Sequence, residues 1–414
     1  MMYKKLAILM MFIVSVSSFS QEDLEVIEPS YIKSVILKAH RVNAFVPIIK
    51  LGEMIDFSFD DLEGDDKEYT YKIDHCDYYW IKSDINSTVY SNGFSEDRIR
   101  TSENSFNTYQ DYTHYELSIP NQSMQIKISG NYIISIMDED EDVIFTRRFI
   151  IYQPKVEVGV SVHKARKVED ISTMQNVEFV INHPNLRINN PNKEIQVAVY
   201  QNNDWNTVIN DIQPQFYRGT QLIYKYADAT TFFGNNEYLY FDSKDMRSST
   251  NNIRRVELKD LYETRLYVDE ARLNKPYTFN PDVNGNFFVR SINADNTNYE
   301  SEYTKVHFFY EKNVDTYEDL YVYGAFNNWK LSDENKMTYN ESTHLYETDI
   351  LLKQGFYNYT YVSVNENYEI DTAFEGSHYQ TENQYNVFVY YKKFGNKYTE
   401  VIGYGAGSSV NLQN

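Results

Sequence analysis

Cysteine is almost missing from this chain: one residue, Cys76, in 414. A single thiol excludes an intrachain disulfide framework and an all-cysteine metal cage. Cations are also short, with 39 Lys and Arg against 60 Asp and Glu and a net charge of -21. Phosphate affinity needs clustered cations, so a general nucleic-acid binder is excluded, and docking on anionic lipid by overall charge is disfavoured. Glycine (15) and proline (9) are sparse. In their place stand 39 Tyr and 24 Phe. Aromatic side chains suit the pleated surface of a strand. A hydrophobic fraction of 42% is too rich for disorder.

The first residues read as an export leader. Lys4 and Lys5 precede the apolar run from Leu6 to Val14, and Ser15, Ser17, Ser18 and Ser20 follow. This is a basic, then apolar, then small-residue order with cleavage expected after Ser20. The run is well short of the ~20 residues that span a bilayer. Removing residues 1–20 takes away two lysines and no acid, giving -23. No later stretch is apolar enough to cross a membrane, so the expected product is exported, soluble and not inserted in the bilayer.

The rest is dominated by short alternating segments. Ile126 and Ile128 alternate around Lys127, Ser129-Gly130-Asn131 turns, and Tyr132, Ile134 and Ile136 alternate again. That pattern predicts a hairpin with one apolar face. Val156 to Val162, Ile195 to Val199, Leu320 to Val322, Tyr357 to Tyr361 and Val387 to Val389 repeat it. The fold class is all-β: tandem immunoglobulin-like sandwiches with few short helices. The expected division is a leader at 1–20, sandwiches at 21–154, 155–314 and 315–404, and a flexible tail at 405–414. Gln153-Pro154 marks the first boundary, Asn313-Val314-Asp315-Thr316 the second, and the Gly/Ser/Asn-rich tail the last.

Chemistry-bearing clusters are few. In Asp74-His75-Cys76-Asp77 the imidazole and thiol are strand neighbours and point to opposite faces, which favours packing over catalysis. The acidic run Asp138 to Asp142 lacks the turn glycine of a calcium loop and reads as a solvated hairpin loop. Asn284-Gly285 reads as a turn. No G-x-S-x-G, H-E-x-x-H or phosphate-binding glycine loop occurs. No catalytic residue, metal ligand or cofactor site is assigned, and an enzyme is not expected.

Gly324-Ala325-Phe326-Asn327-Asn328-Trp329 resembles the opening of the glycogen-binding, E-set type immunoglobulin-like module, over about Asp319 to Tyr391. In that module a Trp after the turn stacks on a sugar ring. Later positions depart from it: Thr360 stands where a Lys is common, and Tyr368 is the nearest aromatic to the usual second Trp. The fold therefore carries over better than the sugar site. Trp329 is read first as a structural ring and alternatively as a glycan-stacking surface.

Longer phrases resemble one family over nearly the whole chain, about Ser30 to Gly403. Among them are Phe59-Asp60-Asp61-Leu62, Ile73-Asp74-His75-Cys76-Asp77 with Trp80, and Tyr112-Thr113-His114-Tyr115. Ser129-Gly130-Asn131-Tyr132, Arg147-Arg148-Phe149, Gln201-Asn202 with Trp205, Asn236-Glu237 with Phe241-Asp242, Asp282-Val283-Asn284-Gly285, and Lys353 to Tyr359 also belong to this set. In order, they resemble the type IX secretion system plug protein family. The resemblance implies a non-catalytic periplasmic accessory that seals the periplasmic mouth of a very large outer-membrane translocon β-barrel (SprA/Sov type). It brings no catalytic residues. Excess tyrosine suggests an aromatic contact face, with Tyr109, Tyr112 and Tyr115 as candidate partner contacts if their loop is exposed. The acidic balance suggests a neutral or basic partner rim.

Overall fold

A computed structural model describes residues 25–40, 46–248, 250, 252–311 and 319–412. The expected leader at 1–20 and the expected linker Asn313 to Thr316 lie outside the described residues. The chain is all-β, as its alternation predicts, and each of the three α-helices among the described residues has four residues.

The first sandwich packs two sheets. One has the order Ile32–Ala39, Ile55–Asp61, Thr113–Ile119, Thr101–Asn104; the other Ile48–Lys50, Val143–Tyr152, Gly130–Met137, Thr70–Cys76, Glu96–Arg98. Between them Phe59 stacks on Tyr115 at 5.0 Å and meets Tyr69 and Phe145 edge-on. The hydroxyls find partners at the rim: Tyr69 donates to Asp61 (2.8 Å) and Tyr115 to the Lys67 carbonyl (2.9 Å). This is how a tyrosine-rich core avoids stranding polar atoms.

The second sandwich is not contiguous in sequence. Glu157–Lys164, Met174–Asn182, Gln221–Tyr224 and Phe216–Arg218 make one sheet. The sheet facing it combines Ile195–Gln201 with Gln384–Tyr391 and Glu400–Ser408. Ile195 pairs with Tyr391, and the register runs unbroken to Gln201 and Tyr385. Val177, Phe179, Val197, Val387 and Ile402 share one core. Strands that the sequence division put in the C-terminal module thus complete the middle sandwich. Tyr385, Val387 and Val389 supply the apolar face that residues 156–233 cannot bury alone.

The third sandwich lies between these halves. Its sheets are Leu239–Asp242, Gly355–Val364 and Phe287–Val289, with Asp319–Tyr323 and Ile370–Asp371 also paired to Gly355–Val364. They face Ile253–Leu258, Tyr262–Asp269, Tyr303–Glu311, Leu345–Lys353 and Thr338–Asn340. We propose the division 25–153, 156–233 with 384–412, and 237–375.

Two sequence readings change for physical reasons. The expected flexible tail at 405–414 is instead strand through Ser408. Its glycines are packing residues: a Cβ on Gly405 would lie 2.7 Å from Val158, and one on Gly407 2.7 Å from Val160. The expected hairpin does not form, since Met124–Ile126 pairs with Ser91–Gly93 while Gly130–Met137 lies between Val143–Tyr152 and Thr70–Cys76, and the strand expected to have one apolar face is buried on both. Every residue of Gly130–Met137 is buried, because Ile133, Cys76 and Ile150 meet Ala198, Tyr200, Phe388 and Tyr390 of the second sandwich. Sheets covered on both faces are read from runs without polar alternation, and Tyr132-Ile133-Ile134 is such a run. Tyr390 donates to the Asn131 side chain (2.9 Å) and Tyr78 to the Val197 carbonyl (2.6 Å) across this contact.

Gly130 is where the backbone must pass a buried ring. A Cβ there would lie 2.2 Å from the His75 Nε2. Gly130→Ala should therefore lower stability by about 1–3 kcal/mol, read as a shifted urea midpoint with an unchanged slope.

Candidate functional site

The most concentrated buried chemistry joins the first sandwich to the third. On the strand Ile55–Asp61, Phe57 and Phe59 face the core and Asp60 faces away. Its cross-strand partner is His114. In the third sandwich Tyr303 and Lys353 are likewise cross-strand partners. Opposed residues on one sheet face lie within side-chain reach, so two sheets each offer a polar pair and the pairs meet. Asp60 accepts from His114 Nδ1 at 2.5 Å, from Lys353 Nζ at 2.7 Å and from the Tyr303 hydroxyl at 2.6 Å. Lys353 also donates to the Asn298 carbonyl at 2.5 Å and sits 4.1 Å from the centre of the Tyr112 ring. Ser34, in a bulge at φ +52°, reaches the Tyr303 hydroxyl at 2.7 Å. The four central residues are all buried.

Burial acts to raise the Asp60 carboxyl, but Lys353 and His114 overcome it and hold it below the usual carboxylate range. Burial acts to lower His114, but its hydrogen bonds to Asp60 and Glu116 raise it. Burial pushes Lys353 down against the pull of Asp60. An Asp, a His, a Lys and a Tyr in contact could move protons. Here their polar atoms are committed to one another, and the adjoining cavity, lined by Ser34, Phe287, Lys353 and Tyr357, measures about 50 Å³. That holds a water or two, against several hundred Å³ for a ligand pocket. The arrangement is built to clasp.

The other junctions are also polar at their centres. Between the second and third sandwiches, Tyr323 donates to Asp204 (2.8 Å), and Asn206 donates to the Trp329 carbonyl (2.8 Å). Burial pushes Asp204 up to about 6. Where all three sandwiches meet, Glu25 pairs with Lys330 (2.5 Å) and Arg148 (3.4 Å). Arg148 lies over Trp80, and Trp80 packs edge-on against Trp205 at 5.3 Å.

The residues singled out from sequence fall as follows. Trp329 is 4% exposed, packed against Tyr323 and Tyr238, with Gly285 giving the indole room. It is a structural ring, and the glycan-stacking alternative loses its surface. Tyr112 and Tyr115 are corrected as partner contacts, since both are buried. Tyr112 packs edge-on against Tyr303 beside the clasp, and Tyr115 fills the first core. Tyr109 alone of the three is exposed. His75 and Cys76 point apart as expected. His75 bonds Ser83 (2.9 Å) and is pushed down by burial to about 4. Cys76 lies in the contact with the second sandwich, its thiol pushed up by burial to about 12. Asp138 accepts from the Asp140 and Asp142 amides and closes its hairpin loop. Asn284 and Gly285 take the positive φ of a turn. Among the described residues, no group of three or more His, Cys, Asp or Glu is placed to hold a metal.

Sequence reasoning missed the clasp. Asp60, His114 and Lys353 all lie in the phrases that carry the resemblance, yet nothing local says that they meet.

The family model for the first domain of the type 9 secretion system plug protein matches residues 32–153, the first sandwich. The chain belongs to the type IX secretion system plug protein family. That family implies a periplasmic component of the secretion system. Among the described residues, no helix is long and apolar enough to cross a membrane. The chain is similar to a hypothetical protein from Parabacteroides merdae ATCC 43184, solved by crystallography, with 31% identity and a TM-score of 0.89 over 93% of this chain and 98% of that one. The BSP domain of a biofilm associated protein aligns at 7% identity with a TM-score of 0.16, over 92% of this chain and 59% of that one, and carries no weight. No curated protein matches.

The clasp makes two measurable claims. Lys353→Met leaves a buried carboxylate short of its main cation and should cost about 3–5 kcal/mol. Adding Asp60→Asn should recover part of that loss, read by urea unfolding. The second claim concerns pH. The raised His114 contributes fully below its unfolded value of about 6.5, and that share is lost as pH rises through the folded value. The lowered Asp60 contributes above about 3.9, and is lost as pH falls through its folded value. Wild-type stability should thus fall from pH 6 toward alkaline pH by a component that His114→Gln lacks.

Proposed function

We propose that this plug-family protein binds and closes the periplasmic opening of a type IX outer-membrane translocon barrel, working by shape and contact without catalysis. The observation that supports this most is the way the sandwiches are joined. Domains within one chain usually meet through modest polar surfaces and move. Here each pair is joined through buried groups: Asp60 with Lys353, Tyr390 with Asn131, and Tyr323 with Asp204. A stopper for a wide pore must not hinge, and these junctions resist hinging because parting them strands buried charge and hydroxyls.

A contact surface fits the same reading. In the loop 105–112, Phe106 and Tyr109 are exposed at 69% and 55%. The loop is pinned to the third sandwich, since the Phe106 amide donates to the Tyr299 carbonyl and the Tyr109 amide to Glu302. Two rings held outward on a fixed loop are suited to serve as interface anchors.

The test is a pull-down from detergent-solubilised outer membrane with the partner identified by mass. A very large barrel should be recovered, deletion should make the outer membrane leaky, and Phe106→Ala with Tyr109→Ala should cut recovery at least about tenfold. Recovery of no barrel, with permeability unchanged on deletion, would end this reading.

A further inference from the structure

The chain's shortage of cations is not evenly spread. Three stretches converge at one end of the second sandwich: 183–194, which ends in a short helix, the hairpin end 216–221, and the tip 392–399. Their meeting is fixed by bonds. The Lys392 amide donates to the Glu194 carbonyl (2.9 Å), Tyr217 donates to the Asn192 side chain, and the His183 amide donates to the Thr220 carbonyl (2.9 Å). Together the stretches carry Arg187, Lys193, Arg218, Lys392, Lys393 and Lys397. All six are exposed. Their one acid, Glu194, is buried, and its carboxylate accepts the amides of Asn189 and Asn190. Of the acids that flank these stretches, Glu400 pairs with Lys155 (2.6 Å) and Glu178 with Lys225 (3.3 Å), while Glu157, opposite Asn182, is exposed at the edge of the basic surface. Six cations against one sequestered acid, on a chain of net charge -21, make a local reversal of sign.

An apolar feature stands at its centre. The strands Gln384–Tyr391 and Glu400–Ser408 leave 392–399 as a hairpin tip. The Asn396 amide bonds to the Lys393 carbonyl (2.9 Å) and Gly395 has φ +86°, so Phe394 occupies the corner of a tight turn. Phe394 is 96% exposed. Phe216 and Tyr217, on the neighbouring hairpin, are also exposed. Packing does not account for a phenylalanine held out between lysines.

We propose that this end of the protein docks on an anionic phospholipid surface, with the lysines against headgroups and Phe394 entering the interface. Aromatic residues among cations suit that boundary, where apolar and charged surroundings lie a few ångströms apart. The overall negative charge does not prevent it. A chain of this length has a radius of gyration of roughly 20 Å, and screening at physiological salt acts over about 8 Å. The acids of the other sandwiches are therefore largely screened from a surface touched by this end.

The experiment is flotation of residues 21–414 with vesicles of phosphatidylcholine alone, or of phosphatidylglycerol and phosphatidylcholine in equal parts. It uses no barrel, so its failure leaves the translocon reading untouched. Binding should appear with the anionic vesicles and weaken as salt rises. Each lysine near such a surface is worth roughly a factor of five, so Lys392→Glu with Lys393→Glu should cut binding at least about twentyfold. Phe394→Ser should weaken it while leaving its salt dependence in place. These side chains are exposed, and circular dichroism should show both variants folded. Equal binding to neutral vesicles, or wild-type binding by the charge-reversed variant, would overturn the proposal. So would retention on polyglutamate or DNA without flotation, which would assign the surface to a different polyanion.

Discussion

One buried ion pair, Asp60 with Lys353, sets the geometry on which the rest of the molecule depends. Isolated, either charge would be too costly to bury, and removing one partner costs more than the pair itself contributes. His114, Tyr303 and the Asn298 carbonyl complete the hydrogen bonding, so the pair is tolerable only when the first and third sandwiches are in register. Hydrophobic burial would accept many relative positions of two sandwiches. A buried charge with fixed partners accepts one. The face-to-face contact around Tyr390 and Ile133 supplies apolar area, and the clasp supplies angular precision.

Much of the first sandwich could be read from its residues. The alternation of Tyr132, Ile134 and Ile136 and the opposite facing of His75 and Cys76 follow from the two-residue period of a strand, and in the third sandwich the turn at Asn284-Gly285 follows from residue types that accept positive φ. Local pattern stops short where the chain returns to itself. Nothing in Ile195 to Gln201 says that its partner is Gln384 to Tyr391, because a sheet edge is satisfied equally by a near or a distant strand. The same limit hides the clasp: Asp60 and Lys353 carry no spacing signal at a separation of 293 residues. The tail misled for a different reason. Its glycines suggest freedom, but the close approach of Val158 and Val160 turns lack of a side chain into a packing requirement. Trp329 shows the converse, since a turn followed by a flat ring suits a sugar outside or a neighbouring sandwich inside, and only burial tells them apart.

The charge pattern makes a related point about composition. A net value describes the chain from far away. Close up, the field belongs to whichever loops the fold gathers, and the fold gathers cations at one end of the second sandwich. The acidic surplus and the basic end therefore serve different encounters: the surplus keeps copies of the protein apart, while the basic end orients a single copy.

The split middle sandwich has a consequence for the order in which the molecule can be made. A polypeptide delivered amino end first brings Glu157 to Phe233 into an aqueous compartment as half of a sandwich, with its apolar face open. The inserted sandwich from 237 to 375 can close before its host does, since it holds both of its own sheets. Only when Gln384–Tyr391 and Glu400–Ser408 arrive is the earlier half covered. Until those last strands are laid down the earlier half keeps an open apolar edge, and with them the middle sandwich becomes a finished body.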